Sequence, residues 1–113
     1  MLLRLVPGLA LMALAASAGS ASAQCDRRFT LRNVSGAQVN EFYFGSSRNP
    51  SWGPDRLGEN VLPSGRTQDF RTAQGDLQDF KVVWENSQAA ELRQVDICST
   101  NEIVATRNGL STR

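Results

Sequence analysis

The 113-residue chain contains no histidine. That absence removes the commonest general base, the usual nucleophile–base triads and a favoured zinc ligand. Lysine is almost missing too: Lys81 is the only one, and the other 11 basic residues are arginine. The two cysteines do not form a C-x-x-C pair, so thiol clusters of the zinc or redox kind are excluded. No G-x-S-x-G elbow, phosphate-binding glycine loop or D-x-[DN]-x-[DN]-G calcium loop occurs. Asp76 and Asp79, with Glu59 and Asp69 elsewhere, are too scattered to make a metal site from the sequence, and Gln74-Gly75-Asp76 reads as a turn. No metal and no cofactor are expected. Carboxylate pairs can hydrolyse glycosides without histidine, so an acid-based hydrolase is the enzyme reading that survives.

The N-terminus has the three-part pattern of a secretory leader. Arg4 supplies a short positive region, Leu5 to Ala16 is an almost wholly apolar run of 12 residues, and small residues follow up to Ala21-Ser22-Ala23. Small side chains one and three residues before a cut suit signal peptidase, which places cleavage between Ala23 and Gln24. A transmembrane anchor needs about 20 apolar residues. A twin-arginine leader needs adjacent arginines, and Arg4 stands alone. A lipoprotein leader needs a small residue before the modified cysteine, and Gln24 precedes Cys25. The expectation is an exported, periplasmic or extracellular protein with no membrane anchor after cleavage.

The remaining chain, 24–113, is short enough for a single domain. Loss of Arg4 leaves 11 basic and 11 acidic side chains, so no surplus charge points to nucleic acid or an anionic membrane. Both cysteines survive cleavage. In an oxidising compartment a small domain gains from a staple, and a Cys25–Cys98 disulfide is expected. Closing so long a loop is worth about 4 kcal/mol on chain-entropy grounds.

Short apolar or alternating runs separated by Gly, Pro, Asn and Ser predict an all-β fold. Strands are expected at 27–34 (Phe29, Leu31), 38–45 (Phe42, Phe44), 66–72 (Phe70), 77–85 (Phe80, Val82, Trp84), 90–98 (Leu92, Val95, Ile97) and 101–107 (Ile103, Ala105). Val39 has the opposite parity to Phe42, which predicts a bulge near Asn40-Glu41. Six short strands suggest an antiparallel sandwich or small open barrel with hairpins between consecutive strands. The turn-rich 46–65 segment is the connection able to cross between sheets. The tail after Asn108-Gly109 is expected to be loose. The disulfide would tie the first strand to the C-terminal hairpin.

Trp52-Gly53-Pro54-Asp55-Arg56-Leu57-Gly58 is the most unusual stretch, and two readings of it are open. As a recognition surface, Trp52 offers a flat apolar face with Asp55 and Arg56 as polar contacts for a ligand. As structure, Trp52 and Leu57 fold back to close one end of the sandwich, and Asp55 bonds to backbone amides. The structural reading is the better supported. Trp84 reads as core, and Tyr43 as an outer-face residue. Asn33-Val34-Ser35 matches a glycosylation acceptor, a triplet that also arises by chance.

The pattern F-x-L-x-N-x-S-G from Phe29, Phe42-Tyr43, the W-G-x-D-x-L-G piece from Trp52, L-P-x-G from Leu62 and D-F-K-V-V-W from Asp79 resembles a group of small exported bacterial proteins. Their function is unknown and they are often labelled Tat-pathway signal proteins. The resemblance spans about residues 29–104, and W-G-x-D-x-L is its most specific part. It implies export and fold but supplies no active site. In that group a cysteine precedes the strand corresponding to Asp79 and an Asp-Gly turn follows it. Here Asp76 and Asn86-Ser87 occupy those regions. If the group's cysteine pairs with the counterpart of Cys98, then Cys25 has taken over its role.

The leading functional expectation is a monomeric, non-enzymatic interaction module that binds a protein or envelope component. The alternatives are a carboxylate-based hydrolase acting on envelope polysaccharide, or a purely structural envelope protein.

Overall fold

The computed structural model describes residues 25–113; the expected leader and its expected cut after Ala23 lie outside the described residues. Seven strands follow in chain order: β1 (Arg28–Asn33), β2 (Val39–Ser46), β3 (Thr67–Arg71), β4 (Leu77–Trp84), β5 (Ala89–Asp96), β6 (Glu102–Thr106) and β7 (Gly109–Thr112). A single 3₁₀ turn, Ile97–Ser99, joins β5 to β6. Among the described residues no helix is long and apolar enough to cross a membrane.

The strands form two sheets, ordered β3-β1-β6-β7 and β2-β4-β5. All pairings are antiparallel except β1 with β6, which run parallel. The all-β expectation holds, with three corrections. The segment after Asn108 is a strand, because the two-residue Arg107-Asn108 turn folds Gly109–Thr112 back onto β6. The Arg113 backbone then bonds Asn101 and Glu102. Second, only β4–β5 and β6–β7 form hairpins; β1 and β2, β2 and β3, β3 and β4, and β5 and β6 are each split between the two sheets. Third, β5 stops at Asp96, whose carboxylate accepts the Cys98 N–H at 3.0 Å and starts the 3₁₀ turn.

Alternation decides which side of each strand is buried. Phe29 and Leu31 of β1, Phe42 and Phe44 of β2, and Phe80 and Val82 of β4 all enter the space between the sheets. Phe70 of β3 packs against them. All five phenylalanines of the chain thus meet in one cluster, with ring centroids 5.1 to 6.2 Å apart in mostly tilted or edge-on pairs. Such pairs add about 0.5–1.5 kcal/mol each beyond the area they bury. The expected bulge is present, as a register shift between Val39 and Glu41.

Trp84 differs from expectation. It is half-buried at the end of β4 rather than enclosed, and its Nε1 donates to Ser35 Oγ at 2.9 Å. Ser35 Oγ donates on to Asn33 Oδ1 at 2.7 Å. Asn33 itself is fully buried, and its Nδ2 donates to Ala37 O at 2.7 Å and Leu62 O at 2.9 Å. The Asn33-Val34-Ser35 triplet is therefore a polar lock inside the fold.

The 46–65 segment crosses between the sheets as expected, and it also covers a vulnerable edge. β2 lies at the rim of its sheet, where unpaired backbone groups invite another strand. Val39 and Leu62 exchange N–H···O bonds of 2.9 and 2.8 Å, Arg56 N donates to Phe42 O at 2.6 Å, and Asp55 Oδ1 accepts the Phe42 N–H at 2.9 Å.

Cys25 and Cys98 form a disulfide with their Cα atoms 5.3 Å apart. It ties the lead-in to β1 to the β5–β6 connection, as expected, although β5 and β6 lie in different sheets and so do not form a hairpin there. Gly75 lies against it: a Cβ there would sit 3.3 Å from Cys25 Sγ and 3.6 Å from Cys98 Sγ.

Candidate functional site

Trp52 does not enter the core. Phe42 and Phe44 point inward, so Tyr43 between them faces outward, opposite Lys81 of β4, which on its other side pairs with Glu91 of β5. Trp52 lies on this outer face. Its ring centroid is 6.5 Å from that of Tyr43, 4.8 Å from Arg93 Cζ and 6.0 Å from Lys81 Nζ. Lys81 Nζ is also 5.9 Å from the Tyr43 ring. Two cations thus share two aromatic faces, within the range where ring quadrupoles attract positive charge.

The loop that carries Trp52 is tied down on both sides. Asn49 Oδ1 accepts the Ser51 N–H at 3.0 Å, and Asn49 N donates to Ser46 O at 2.9 Å. Gly53 adopts φ +74°, a left-handed angle that glycine takes without a Cβ clash. Beyond it, Asp55 Oδ1 accepts N–H bonds from Phe42 and Leu57, both at 2.9 Å. Leu57 is buried in the core. Arg56 lies over the Phe44 ring, 4.3 Å from Cζ to centroid, and donates to Phe44 O at 2.9 Å.

Of the three residues singled out as ligand contacts, then, Trp52 stands on the outer sheet face. Asp55 and Arg56 spend polar atoms on the edge of β2. The partners of Trp52 are Tyr43, Lys81 and Arg93. Tyr43 and Lys81 were legible as outward by parity. Arg93 was not, because Leu92 and Val95 both face the core with opposite parity, and the register shifts between them: Gln78 pairs with Val95 but Phe80 with Leu92.

Beneath Arg93 sits Asp79, only 6% exposed. Its carboxylate accepts Ser47 Oγ at 2.6 Å, Gln94 N at 2.9 Å and Arg93 Nη1 at 3.0 Å. Burial pushes this carboxyl up, but the three hydrogen bonds and the guanidinium charge outweigh it and leave the group below its ordinary range. Arg93 also donates to Glu91 Oε1 at 2.7 Å, so it is clamped between two carboxylates while its plane meets Trp52. On the other side of the face, Tyr43 donates to Glu41 Oε1. That bond, reinforced by burial and the Glu41 charge, pushes the phenol up to about 12.

A separate open groove of about 530 Å³ runs over the outer side of β1 and β3, where Asp26, Arg28, Thr30, Asp69 and Arg71 line it. It holds two carboxylates. Hydrogen bonds from the Arg28 side chain and N–H bring Asp26 down to about 2, and Asp69 accepts the Thr30 hydroxyl at 2.7 Å. Elsewhere Asp76 is lowered by Ser46, and Glu102 by Arg32. A glycosidase acid needs the opposite shift, upward toward neutral pH.

No family model matches the chain, and neither a curated protein nor a solved structure matches it.

Proposed function

We propose that the domain works outside the cytoplasm as a non-enzymatic binding module of the cell envelope. Its contact face is the outer side of the β2-β4-β5 sheet, centred on Trp52. The observation that carries this reading is the position of Trp52. A large aromatic side chain is held half-buried on a polar sheet face by an anchored loop, although the core lies within reach of the same loop through Leu57. Aromatic anchors flanked by arginine are the groups that dominate contact energies in protein interfaces. The disulfide suits a compartment in which thiols are oxidised. Asp26, Asp76, Asp79 and Glu102 are all held in the ionised state, which speaks for binding over acid catalysis.

The test is retention of residues 24–113 on washed cell-envelope material, wild type against Trp52→Ala, with melting curves for both. Loss of a hot-spot tryptophan costs about 2 kcal/mol, so the variant should be retained about 30-fold less well while remaining folded. Equal retention of the two forms would refute Trp52 as the contact.

A further inference from the structure

We infer that the end of the sandwich opposite the disulfide is a second binding site, and that its ligand is an acidic sugar. The strand register places the Trp84 end of β4, the start of β5 and the β6–β7 turn together at this end. Two recesses of about 200 and 340 Å³ open there and share Trp84, Gln88 and Arg107 as walls. The shared tryptophan makes them adjoining compartments, large enough together for more than one pyranose ring.

Four features point to the ligand. First, Trp84 is an aromatic wall whose orientation is preset, because its Nε1 is locked to Ser35 Oγ and through it to buried Asn33. An indole face of fixed orientation suits the C–H face of a sugar ring. Second, the walls carry one formal charge. Arg107 is exposed and pairs with no carboxylate among the described residues, and neither recess is lined by Asp or Glu. With no Asp or Glu in the walls beside it, this guanidinium selects for an anion, and its planar fork fits a carboxylate.

Third, hydroxyl partners are at hand. The Asn86 Nδ2 and the side-chain amides of Gln88 and Asn108 make no hydrogen bond within the described residues; Asn86 uses only Oδ1, to accept the Gln88 N–H at 3.0 Å. Fourth, the frame is rigid. Thr106 Oγ1 donates to Gly109 O at 3.0 Å and accepts the Asn108 N–H at 3.2 Å, which fixes the turn that carries Arg107. The guanidinium lies over Gly36 of the β1–β2 turn, its Nη2 3.8 Å from the place a Cβ would occupy. An aromatic plate, an unpaired arginine and free amides together describe a uronic-acid site better than a neutral-sugar or peptide site.

The test uses the fact that the chain has two tryptophans. Trp52→Phe leaves Trp84 as the sole indole, so the emission reports this end of the domain and not the Trp52 face. Trigalacturonate is titrated while Trp84 emission is followed, with maltotriose as the uncharged control of equal length. The expected result is a saturable change with trigalacturonate, weakened about tenfold or more by maltotriose or by Arg107→Gln, as loss of one charge-assisted contact implies. Arg107 is exposed, so its variant should keep the parent melting temperature. No saturable change with trigalacturonate, or equal affinity in Arg107→Gln or for maltotriose, overturns the inference.

Discussion

Asp79 and Gln94 face each other where the β4–β5 ladder changes register, and the Asp79 carboxylate accepts the Gln94 N–H at 2.9 Å. Gln94 has φ +59°, a left-handed conformation that costs a side-chain-bearing residue about 1–2 kcal/mol. A buried acid therefore holds a strained residue, and the same acid positions Arg93 beneath Trp52. Asp79→Asn should lower stability by about 2–3 kcal/mol, read as a lower urea midpoint at unchanged slope. Gln94→Gly should move the midpoint the other way, by about 0.5–1 kcal/mol. A neutral Asp79→Asn would show that the bulge forms without its anion.

The Asp55 carboxylate stands in for a neighbouring strand along β2. Asp55→Ala leaves the Phe42 and Leu57 amides without that acceptor, at a cost of about 1–3 kcal/mol. Because the uncovered groups lie on a sheet edge, the variant should also self-associate more readily. Size exclusion with light scattering over a concentration series checks this. A variant that is destabilised yet strictly monomeric at high concentration would argue that Asp55 only braces its own loop.

Reduction of the Cys25–Cys98 bond, or its replacement by two alanines, should cost about 4 kcal/mol and lower Tm by more than about 10 °C. Gly75 gives an internal control. Gly75→Ala places a methyl 3.3 Å from Cys25 Sγ, so it should cost about 1 kcal/mol in the oxidised protein and less once the bond is gone. An equal cost in both backgrounds would place the crowding elsewhere.

Asp26, Asp76, Asp79 and Glu102 all have folded-state pKa values below their ordinary ones. Each therefore adds stability that is complete above the unfolded value and is lost as pH falls through the folded value. With no histidine in the chain, Tm should be flat between about pH 5 and 8 and should fall between about pH 4 and 2. A step near pH 6.5 would contradict this assignment. At the alkaline end, Tyr43 is the only tyrosine, so phenolate absorbance reports it alone. Its midpoint should lie near 12 in the folded protein, near about 10 in urea, and lower in Glu41→Gln than in the wild type.

Much of the fold was legible because burial here follows strand alternation. Phe29/Leu31, Phe42/Phe44 and Phe80/Val82 each mark an inward face, and the parity break at Val39 marks a bulge. β7 was not legible, since Gly-Leu-Ser-Thr carries one apolar residue and no alternation. Nor was the parallel pairing of β1 with β6, a contact between segments about 70 positions apart with no local trace. Trp52 was visible as an oddity, but its surroundings depend on Arg93: Leu92 and Val95 both face the core, and only the irregularity at Gln94 between them leaves Arg93 on the outer face. Trp84 follows the inward parity of β4 and packs against the core, but it is only half-buried at the strand end, and its bond to Ser35 had no trace in the alternation.

Asn33 sits at the centre of the polar lock and is fully buried, yet it heads an Asn-x-Ser triplet. A chain made in a eukaryotic secretory pathway would meet oligosaccharyltransferase while still unfolded, when that amide is open. A glycan placed there could not be accommodated between Ala37 and Leu62, so modification and folding become competing fates of one side chain. Yield from such a host should rise when Ser35 is exchanged for a residue that cannot complete the acceptor, even though that exchange weakens the lock.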